Sequence, residues 1–269
     1  FTRTAGSYSY TVTDSKGCTS VASGSISQPA TLVASSTSGS IACNGGSTTV
    51  TVSATGGTAP YSGDGSFTVG VGSYSYTVSD ANGCSSITSI TVSQPSTLVA
   101  SASAGAIACN GGSASVTVSA TGGTTPYTGT GSFTVTAGSY SYTVTDANGC
   151  SSVAGATLSE PSALSASSTA GSISCNGGSA TVTVTASGGT TPYSGTGSFS
   201  RTAGAYSYTV TDANGCTAVT TGSISQPSAL VASSSAGTIS CNGGSTTVTV
   251  SAIGGTTPYT GTGSFSRTA

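Results

Sequence analysis

Apolar and polar residues alternate over short segments along most of the chain. Val50 and Val52 alternate with Thr and Ser in one such segment. In a later segment Tyr74, Tyr76 and Val78 fall on one face, with Ser and Thr on the other. Alternation of this kind is typical of a β-strand with one buried face. Since no segment has the 3.6-residue period of a helix, the pattern predicts an all-β protein.

Turn-forming residues interrupt the alternation at regular places. Gly56-Gly57 and Pro60 end one strand, and Asp80-Ala81-Asn82-Gly83 follows the Tyr-rich strand. Asn and Gly accept positive φ, and an Asp side chain can bond its own backbone. We therefore expect six or seven short strands joined by turns, which indicates a small Ig-like β-sandwich.

The same landmarks recur every 66 residues without an insertion, and the cysteines show this most clearly because their spacings alternate between 25 and 41. They lie at Cys18, Cys43, Cys84, Cys109, Cys150, Cys175, Cys216 and Cys241. A Phe keeps the same step, at Phe1, Phe67, Phe133, Phe199 and Phe265. A period of this length suits a small domain with its own core, so it predicts a tandem array of sandwich modules.

Gln-Pro or Glu-Pro dipeptides mark the module boundaries, because proline is tolerated at strand starts and edges. The predicted division is a partial repeat at 1–29, complete repeats at 30–95, 96–161 and 162–227, and a partial repeat at 228–269. The pattern starts and stops inside a repeat and shows no signal peptide, so we expect a piece of a longer protein.

One position in the repeat accepts either a charged or an apolar side chain. Arg3, Arg201 and Arg267 occupy the place that Val69 and Val135 hold in other copies. A position that accepts both cannot be deep in the core. We expect it to be half-exposed on a strand.

Two cysteines per repeat in a chain without His predict disulfides rather than metal ligands, because there is no Cys-x-x-Cys pair and no imidazole. Disulfides indicate an oxidising, extracellular compartment. Closing a loop of 25 or 41 residues stabilises a fold by about 3.5 or about 3.9 kcal/mol. This difference is too small to choose between pairings.

Two regular pairings are open. The favoured one closes each module on itself, so that each folds and locks independently: Cys43–Cys84, Cys109–Cys150 and Cys175–Cys216, with Cys18 and Cys241 paired to partners beyond the sequence. The alternative joins neighbours across the Pro junction: Cys18–Cys43, Cys84–Cys109, Cys150–Cys175 and Cys216–Cys241.

Composition excludes several function classes. Only 4% of the residues are charged and four are basic, too few to neutralise a nucleic-acid backbone. The chain contains no apolar run of about 18 residues, so we expect no membrane span. The recurring acidic residue stands once per repeat, as Asp14, Asp80, Asp146 and Asp212, and predicts a turn cap rather than a Ca²⁺ ligand, which needs six or more oxygens.

Without His, the many Ser hydroxyls have no imidazole to activate them, and one Asp per repeat forms no catalytic dyad. The paired glycines precede strands and lack a Lys, which indicates turns rather than a phosphate cradle. We therefore predict no enzymatic activity, no catalytic, cofactor-binding or metal-binding residue, and no cofactor.

The motifs closely resemble the SprB repeat of very large cell-surface adhesins from gliding Bacteroidota. They are Cys-Asn-Gly-Gly-Ser from Cys43, Gly-Gly-Thr-x-Pro-Tyr from Gly56, Tyr-Ser-Tyr-Thr-Val from Tyr74, Asp-Ala-Asn-Gly-Cys from Asp80, and Gln-Pro-Ser from Gln94. The likeness covers the whole chain. One departure is Lys16, which replaces the turn Asn in the first copy.

The resemblance implies export by the type IX secretion system, display on the outer-membrane exterior, and a role in gliding motility and surface attachment. It carries over no catalytic residue. As a stalk or fibre, the segment would have an extracellular surface or polysaccharide, the motility and secretion machinery and other filament copies as partners. The alternative is that the repeats themselves bind polysaccharide or self-associate into biofilm-matrix filaments, through many weak contacts.

Overall fold

The structure is a computed structural model in which residues 2–268 are described. Phe1 and Ala269, at the outer ends of the two predicted partial repeats, lie outside the described residues. Every regular element in the described part of the chain is a β-strand, and there are twenty. The predicted all-β class is confirmed.

The strands follow the 66-residue step. The partial repeat 1–29 contributes β1 Gly6–Thr13 and β2 Thr19–Ile26, and the repeat 30–95 contributes β3 Val33–Ser38, β4 Thr48–Thr55, β5 Gly65–Val69, β6 Gly72–Ser79 and β7 Ser85–Val92. The repeat 96–161 contributes β8 Val99–Ala104, β9 Ala114–Thr121, β10 Gly131–Val135, β11 Gly138–Thr145 and β12 Ser151–Leu158. The repeat 162–227 contributes β13 Ser165–Ala170, β14 Ser179–Ser187, β15 Gly197–Thr202, β16 Gly204–Thr211 and β17 Thr217–Ile224. The last contributes β18 Val231–Ala236, β19 Ser245–Ile253 and β20 Gly263–Thr268.

Each complete repeat has five strands rather than the expected six or seven. In 30–95 they form a three-stranded antiparallel sheet, β3-β4-β5, and a hairpin, β6-β7. The order is the same in 96–161 and in 162–227. Turns occupy the segments between these strands, because glycines at positive φ, such as Gly45 and Gly56, break the alternation there.

The two sheets of a repeat enclose one apolar core. In 30–95 Val50 and Val52 of β4 are 0% and 2% exposed, and Val78 of β6 is 0% exposed. Tyr74 and Tyr76 are half-buried and pack against this cluster. Because the cluster takes residues from both sheets, the repeat is a β-sandwich, as the alternation predicted.

The repeat 162–227 builds its core from the same positions. Val182 and Val184 replace Val50 and Val52, and Val210 replaces Val78, all at most 1% exposed. The tandem sandwich architecture is therefore present twice, 132 residues apart in sequence.

Polar side chains link the two sheets at one edge. The backbone N–H of Ala34 on β3 donates to the Ser86 hydroxyl on β7 at 3.1 Å. Two residues further along each strand, the hydroxyls of Ser36 and Thr88 lie 2.9 Å apart. These bonds pair groups on the β3 edge that no backbone neighbour on that side satisfies.

The chain divides into two compact units that do not follow the 66-residue step. The first combines the chain up to Ala102 with Thr117–Gly131 and Ser141–Gly155. The second combines Ser103–Val116, Ser132–Tyr140 and the chain from Ala156 onward. The module boundaries after residues 29, 95, 161 and 227 stay a prediction.

The Arg-or-Val position has the predicted environment. Val69 and Val135 end β5 and β10 and are half-buried, whereas Arg201 near the end of β15 is exposed. The position lies at the margin of the core, where a long side chain can reach solvent.

Candidate functional site: the joint between repeats

Two disulfides connect successive repeats. Cys43 is bonded to Cys150, and Cys109 to Cys216, with 5.7 Å between the Cα atoms in both cases. Both span 107 residues of sequence. Each therefore links the first cysteine of one repeat to the second cysteine of the following repeat.

Both pairings considered from the sequence are corrected by this arrangement. The favoured pairs Cys43–Cys84, Cys109–Cys150 and Cys175–Cys216 are wrong for the bonded cysteines, and so is the alternative that joined Cys84–Cys109 and its equivalents. Four of the eight cysteines form disulfides as predicted, but neither regular pairing included a span of 107 residues.

The strand register explains why one repeat cannot close on itself. Cys43 lies just before β4, at the end of the sandwich where β5 stops and β6 starts, since Thr48 pairs with Val69. Cys84 lies beyond the opposite end of β6, in the turn to β7. A strand of eight residues is about 26 Å long. Disulfide-bonded Cα atoms must lie within about 7 Å.

The two ends of a repeat can be named from these contacts. The entry end carries its first residues and its second cysteine: the N–H of Gly57 donates to Ala30 O at 2.7 Å, and Ala81 N donates to Thr58 O at 2.9 Å. The exit end carries its first cysteine and its last residues. Because a repeat leaves at its exit end, its first cysteine is brought next to the second cysteine of the repeat that follows.

At the exit end, the Cys-Asn-Gly-Gly turn is bonded to the Gln-Pro junction. The Asn44 side-chain amide donates to Pro95 O at 3.0 Å, and the N–H of Gly45 donates to Gln94 Oε1 at 2.8 Å. Gly45 has φ of 79°, which a residue with a side chain adopts only with strain. No feature of the residue pattern indicated that this turn and the junction, 49 residues apart, bind each other.

The middle repeat keeps these bonds although Glu160 replaces Gln. Its carboxylate accepts from the Asn110 side chain at 3.1 Å and from the N–H of Gly111 at 2.6 Å. Both side chains present an oxygen to the turn, which explains why either residue is accepted at the junction.

At the entry end, a buried carboxylate organises the turn that ends in the second cysteine. Asp80 is 7% exposed, and its Oδ1 accepts from the N–H groups of Asn82 at 3.0 Å and Cys84 at 2.9 Å. Its Oδ2 accepts from the N–H of Thr58 at 3.0 Å. The prediction of an Asp-capped turn is confirmed, and the bond to Thr58 adds an anchor to a distant loop.

These N–H donors hold the carboxyl in its charged form. The pKa of Asp80 lies below its usual 3.8 mainly because Thr58 N–H donates to it; burial opposes the shift, and Cys84 and Asn82 add to it. At Asp146 burial is the largest single influence and raises the pKa, but the donors led by Thr124 outweigh it and the net shift is downward.

The turn Asn reaches across the joint. Asn148 donates from its side-chain amide to Thr124 Oγ1 of its own repeat and to Ala42 O of the preceding repeat, both at 3.0 Å. Asn214 does the same with Thr190 at 3.0 Å and Ala108 at 2.9 Å. The amide thus lies beside each disulfide and fixes the same two chain segments.

We define the joint as residues 42–45, 94–95 and 148–150. The second joint consists of 108–111, 160–161 and 214–216, with the same bonds. Each contains one disulfide and one hydrogen bond between repeats, together with an exit turn bonded to its own junction. In this arrangement a covalent bond and a hydrogen bond hold each pair of successive repeats together.

Four cysteines are free and exposed in the described part of the chain: Cys18, Cys84, Cys175 and Cys241. The pairing of Cys18 and Cys241 with partners beyond the sequence stays a prediction. The described residues contain no group of three or more His, Cys, Asp or Glu side chains placed to hold a metal ion. They also contain no helix long and apolar enough to cross a membrane.

No protein-family model matches the chain, and no curated protein matches it. Among solved structures, the N-terminal eight Ig domains of Down Syndrome Cell Adhesion Molecule isoform 1.30.30 match with a TM-score of 0.22 and 14% identity. The match covers 94% of this chain and 49% of that one, so the chain spans about half the length of that structure. The fold assignment rests on the sheets and cores described above.

Proposed function

We propose that this chain is the stalk of a secreted cell-surface adhesin, in which disulfide-stapled sandwich repeats provide reach. The observation that carries the proposal is the joint itself, present twice with the same bonds. A protein that only needed folded modules could close each one internally. A disulfide placed between modules strengthens the connection between them.

A pull along the chain loads the short Pro junction between two repeats, such as 94–96. The Cys43–Cys150 bond runs in parallel with that junction and shares the load covalently. The hydrogen bond from Asn148 to Ala42 keeps the joint aligned when no load is applied.

The finer assignment rests on the motifs and the chemistry together. The likeness to the SprB repeat favours a gliding-motility adhesin exported by the type IX system to the outer-membrane exterior. The two disulfides fit an oxidising exterior. The partners we propose are an extracellular surface or polysaccharide at the tip, the motility and secretion machinery at the base, and neighbouring filaments. The segment itself is non-catalytic.

A second candidate function, lateral adhesion by the repeats themselves, is favoured by one regular feature. The same strand position in four repeats carries an exposed aliphatic side chain, between 58% and 66% exposed: Val21, Ile87, Val153 and Val219. One feeble apolar contact per repeat can add up over a long array through multivalency.

One experiment separates the two. In the parent adhesin, residues 96–227 are deleted, which removes two repeats in phase, or replaced by an unrelated rigid spacer of equal length. If reach is the function, the deletion shortens the surface filaments and weakens attachment, and the spacer restores both. Attachment that the spacer fails to restore would assign adhesion to the repeats instead.

A further inference from the structure

Each exit turn contains an Asn-Gly dipeptide, a sequence prone to spontaneous deamidation because glycine has no Cβ to hinder its backbone nitrogen. In this reaction the glycine nitrogen forms a bond to Cγ of the preceding Asn, and the bond from Cγ to Nδ2 breaks. Ammonia leaves with the proton that the glycine nitrogen gives up. Water then opens the cyclic imide to aspartate or isoaspartate. The dipeptides are Asn44-Gly45, Asn110-Gly111 and Asn176-Gly177.

Burial does not protect these dipeptides from the reaction. Asn44 and Gly45 are exposed, and so are their equivalents in the next two exit turns. A Cβ placed on Gly45 would have nothing within 4 Å, so the space around the reacting atoms is open. Protection therefore has to come from the hydrogen bonds of the turn.

The junction binds both nitrogens that the reaction uses. The N–H of Gly45, which has to attack, donates to Gln94 Oε1 at 2.8 Å. The side-chain amide of Asn44, which has to leave, donates to Pro95 O at 3.0 Å. Because the Gly45 nitrogen must give up its proton and turn towards Cγ, its bond to Gln94 has to break first. We propose that the exit-turn asparagines are deamidation sites that the junction keeps unreactive while it is bound to the turn.

The same two nitrogens are bound in the other complete repeats. The N–H of Gly177 donates to Gln226 Oε1 at 2.8 Å, and Asn176 donates to Pro227 O at 3.0 Å. In the middle repeat the Glu160 carboxylate accepts from Gly111 at 2.6 Å and from Asn110 at 3.1 Å. Asn110 donates to Pro161 O as well, at 3.1 Å. With one more bond to break, Asn110 should react most slowly of the three.

Deamidation would prevent the turn from binding its junction again. The new carboxylate has no proton to donate to Pro95 O, so two oxygen atoms would face each other. At position 110 the carboxylate would also face the like charge of Glu160. Isoaspartate adds one carbon to the backbone next to Cys43, which carries the disulfide to Cys150. In the stalk, load on the junction would open the turn; this trigger rests on the proposed function, whereas the chemistry does not.

The test compares the full chain with the variants Gln94→Ala and Gln94→Glu in a mildly alkaline buffer. Peptide mapping by mass spectrometry follows the gain of one mass unit at each Asn and the separate elution of isoaspartate. In the folded chain the exit-turn asparagines should react at least about tenfold more slowly than in urea with reductant, because two hydrogen bonds must open first. Gln94→Ala removes one of these bonds and should accelerate deamidation of Asn44 roughly fivefold. Gln94→Glu should not, because its carboxylate can accept as Glu160 does.

Asn82 is the control within the same repeat, because the N–H of Gly83 donates to Asp80 O at 3.0 Å and not to the junction. Acceleration at Asn44 alone supports the proposal, and equal acceleration at both sites would overturn it. Glu160→Ala repeats the test independently at Asn110.

An unchanged rate at Asn44 in Gln94→Ala would also overturn the proposal. So would faster reaction of Asn110 in the folded chain than in the unfolded one, since Glu160 would then act as a base that promotes the attack. None of these results bears on the proposed stalk, which the deletion and spacer experiment tests through filament length and attachment.

Discussion

Arg201 donates its Nε–H to the hydroxyl of Tyr208 at 2.9 Å, and its guanidinium carbon lies 5.2 Å from the centre of the same ring. The equivalent Tyr76 stands opposite a valine, Val69, and its buried hydroxyl makes no hydrogen bond in the described part of the chain. Both tyrosines stack on a phenylalanine in the same way. The ring centres of Tyr208 and Phe199 lie 4.5 Å apart, and those of Tyr76 and Phe67 lie 4.7 Å apart.

The first prediction uses this natural pair of environments. Tyr208→Phe removes a hydroxyl that has a partner and should cost about 1 kcal/mol of stability. Tyr76→Phe removes a buried hydroxyl without one and should be neutral or stabilise by about 1 kcal/mol. Amide hydrogen exchange of the two hairpins, β16–β17 and β6–β7, reads each repeat separately.

The converse substitution is the matched control. Val69→Arg should place a guanidinium over the Tyr76 ring and slow exchange in β6–β7, since a cation over an aromatic ring adds about 0.5–1 kcal/mol at an exposed site. Equal losses from Tyr76→Phe and Tyr208→Phe would show that the arginine does not matter to the ring.

Local chemistry explains why much of the repeat was predictable. The alternation around Val50 and Tyr74 identified β4 and β6, because a strand with one buried face leaves a period of two in the sequence. The Asp80 turn was predictable for the same reason: its bonds to Asn82 and Cys84 span at most four residues.

The joint was not predictable, because it depends on which ends of neighbouring sandwiches meet. Cys43 and Cys84 alternate regularly in sequence, yet the β6 hairpin carries them to opposite ends of one module. Only the register of five strands shows that Cys43 faces Cys150. The Asn two residues before the second cysteine, at Asn82, Asn148 and Asn214, was the available signal, although a turn explains it equally well.

The second prediction concerns pH. The folded-state pKa of Asp80 is lowered, so its contribution to stability is fully present above about pH 4 and is lost as pH falls through the folded pKa. We expect urea midpoints that hold from about pH 7 to about pH 4 and then decline. Asp80→Asn should lower the midpoint at neutral pH, because its amide N–H₂ would face the Thr58 N–H or leave it unbonded.

Asp64→Asn is the charge-matched control for that substitution. Asp64 is exposed in the loop before β5, so its replacement removes one negative charge without touching the turn. Equal pH profiles for Asp80→Asn and Asp64→Asn would show that the buried turn does not set the acid limit.

The third prediction tests the close approach of backbone to the same carboxylate. Gly57 has φ of 59°, and a Cβ there would lie 2.7 Å from Asp80 Oδ2. Gly83 has φ of 79° with nothing within 4 Å of a Cβ. Gly83→Ala should therefore cost only the backbone strain of about 1–2 kcal/mol, and Gly57→Ala should cost more. Urea unfolding of the two variants measures the difference, and equal losses would contradict the contact.

The last prediction follows from the overlap of the two disulfide loops. The shortest covalent route from Cys43 to Cys216 crosses both disulfides and only the 109–150 backbone between them. Fully stretched, that route is roughly 140 Å long, whereas the reduced 43–216 chain reaches roughly 590 Å. Single-molecule pulling on the chain ends should therefore release roughly 450 Å more length in reductant than without it.

A variant with Cys43→Ser and Cys150→Ser gives the intermediate case. Only Cys109–Cys216 remains, so the route runs along 43–109 and one disulfide and measures roughly 220 Å. If each module were closed on itself, reduction would release length within single modules. This variant would then leave Cys84 and Cys109 without their partners. A three-level series of lengths, shortest in the intact chain and longest after reduction, is therefore specific to staples that overlap from one repeat to the next.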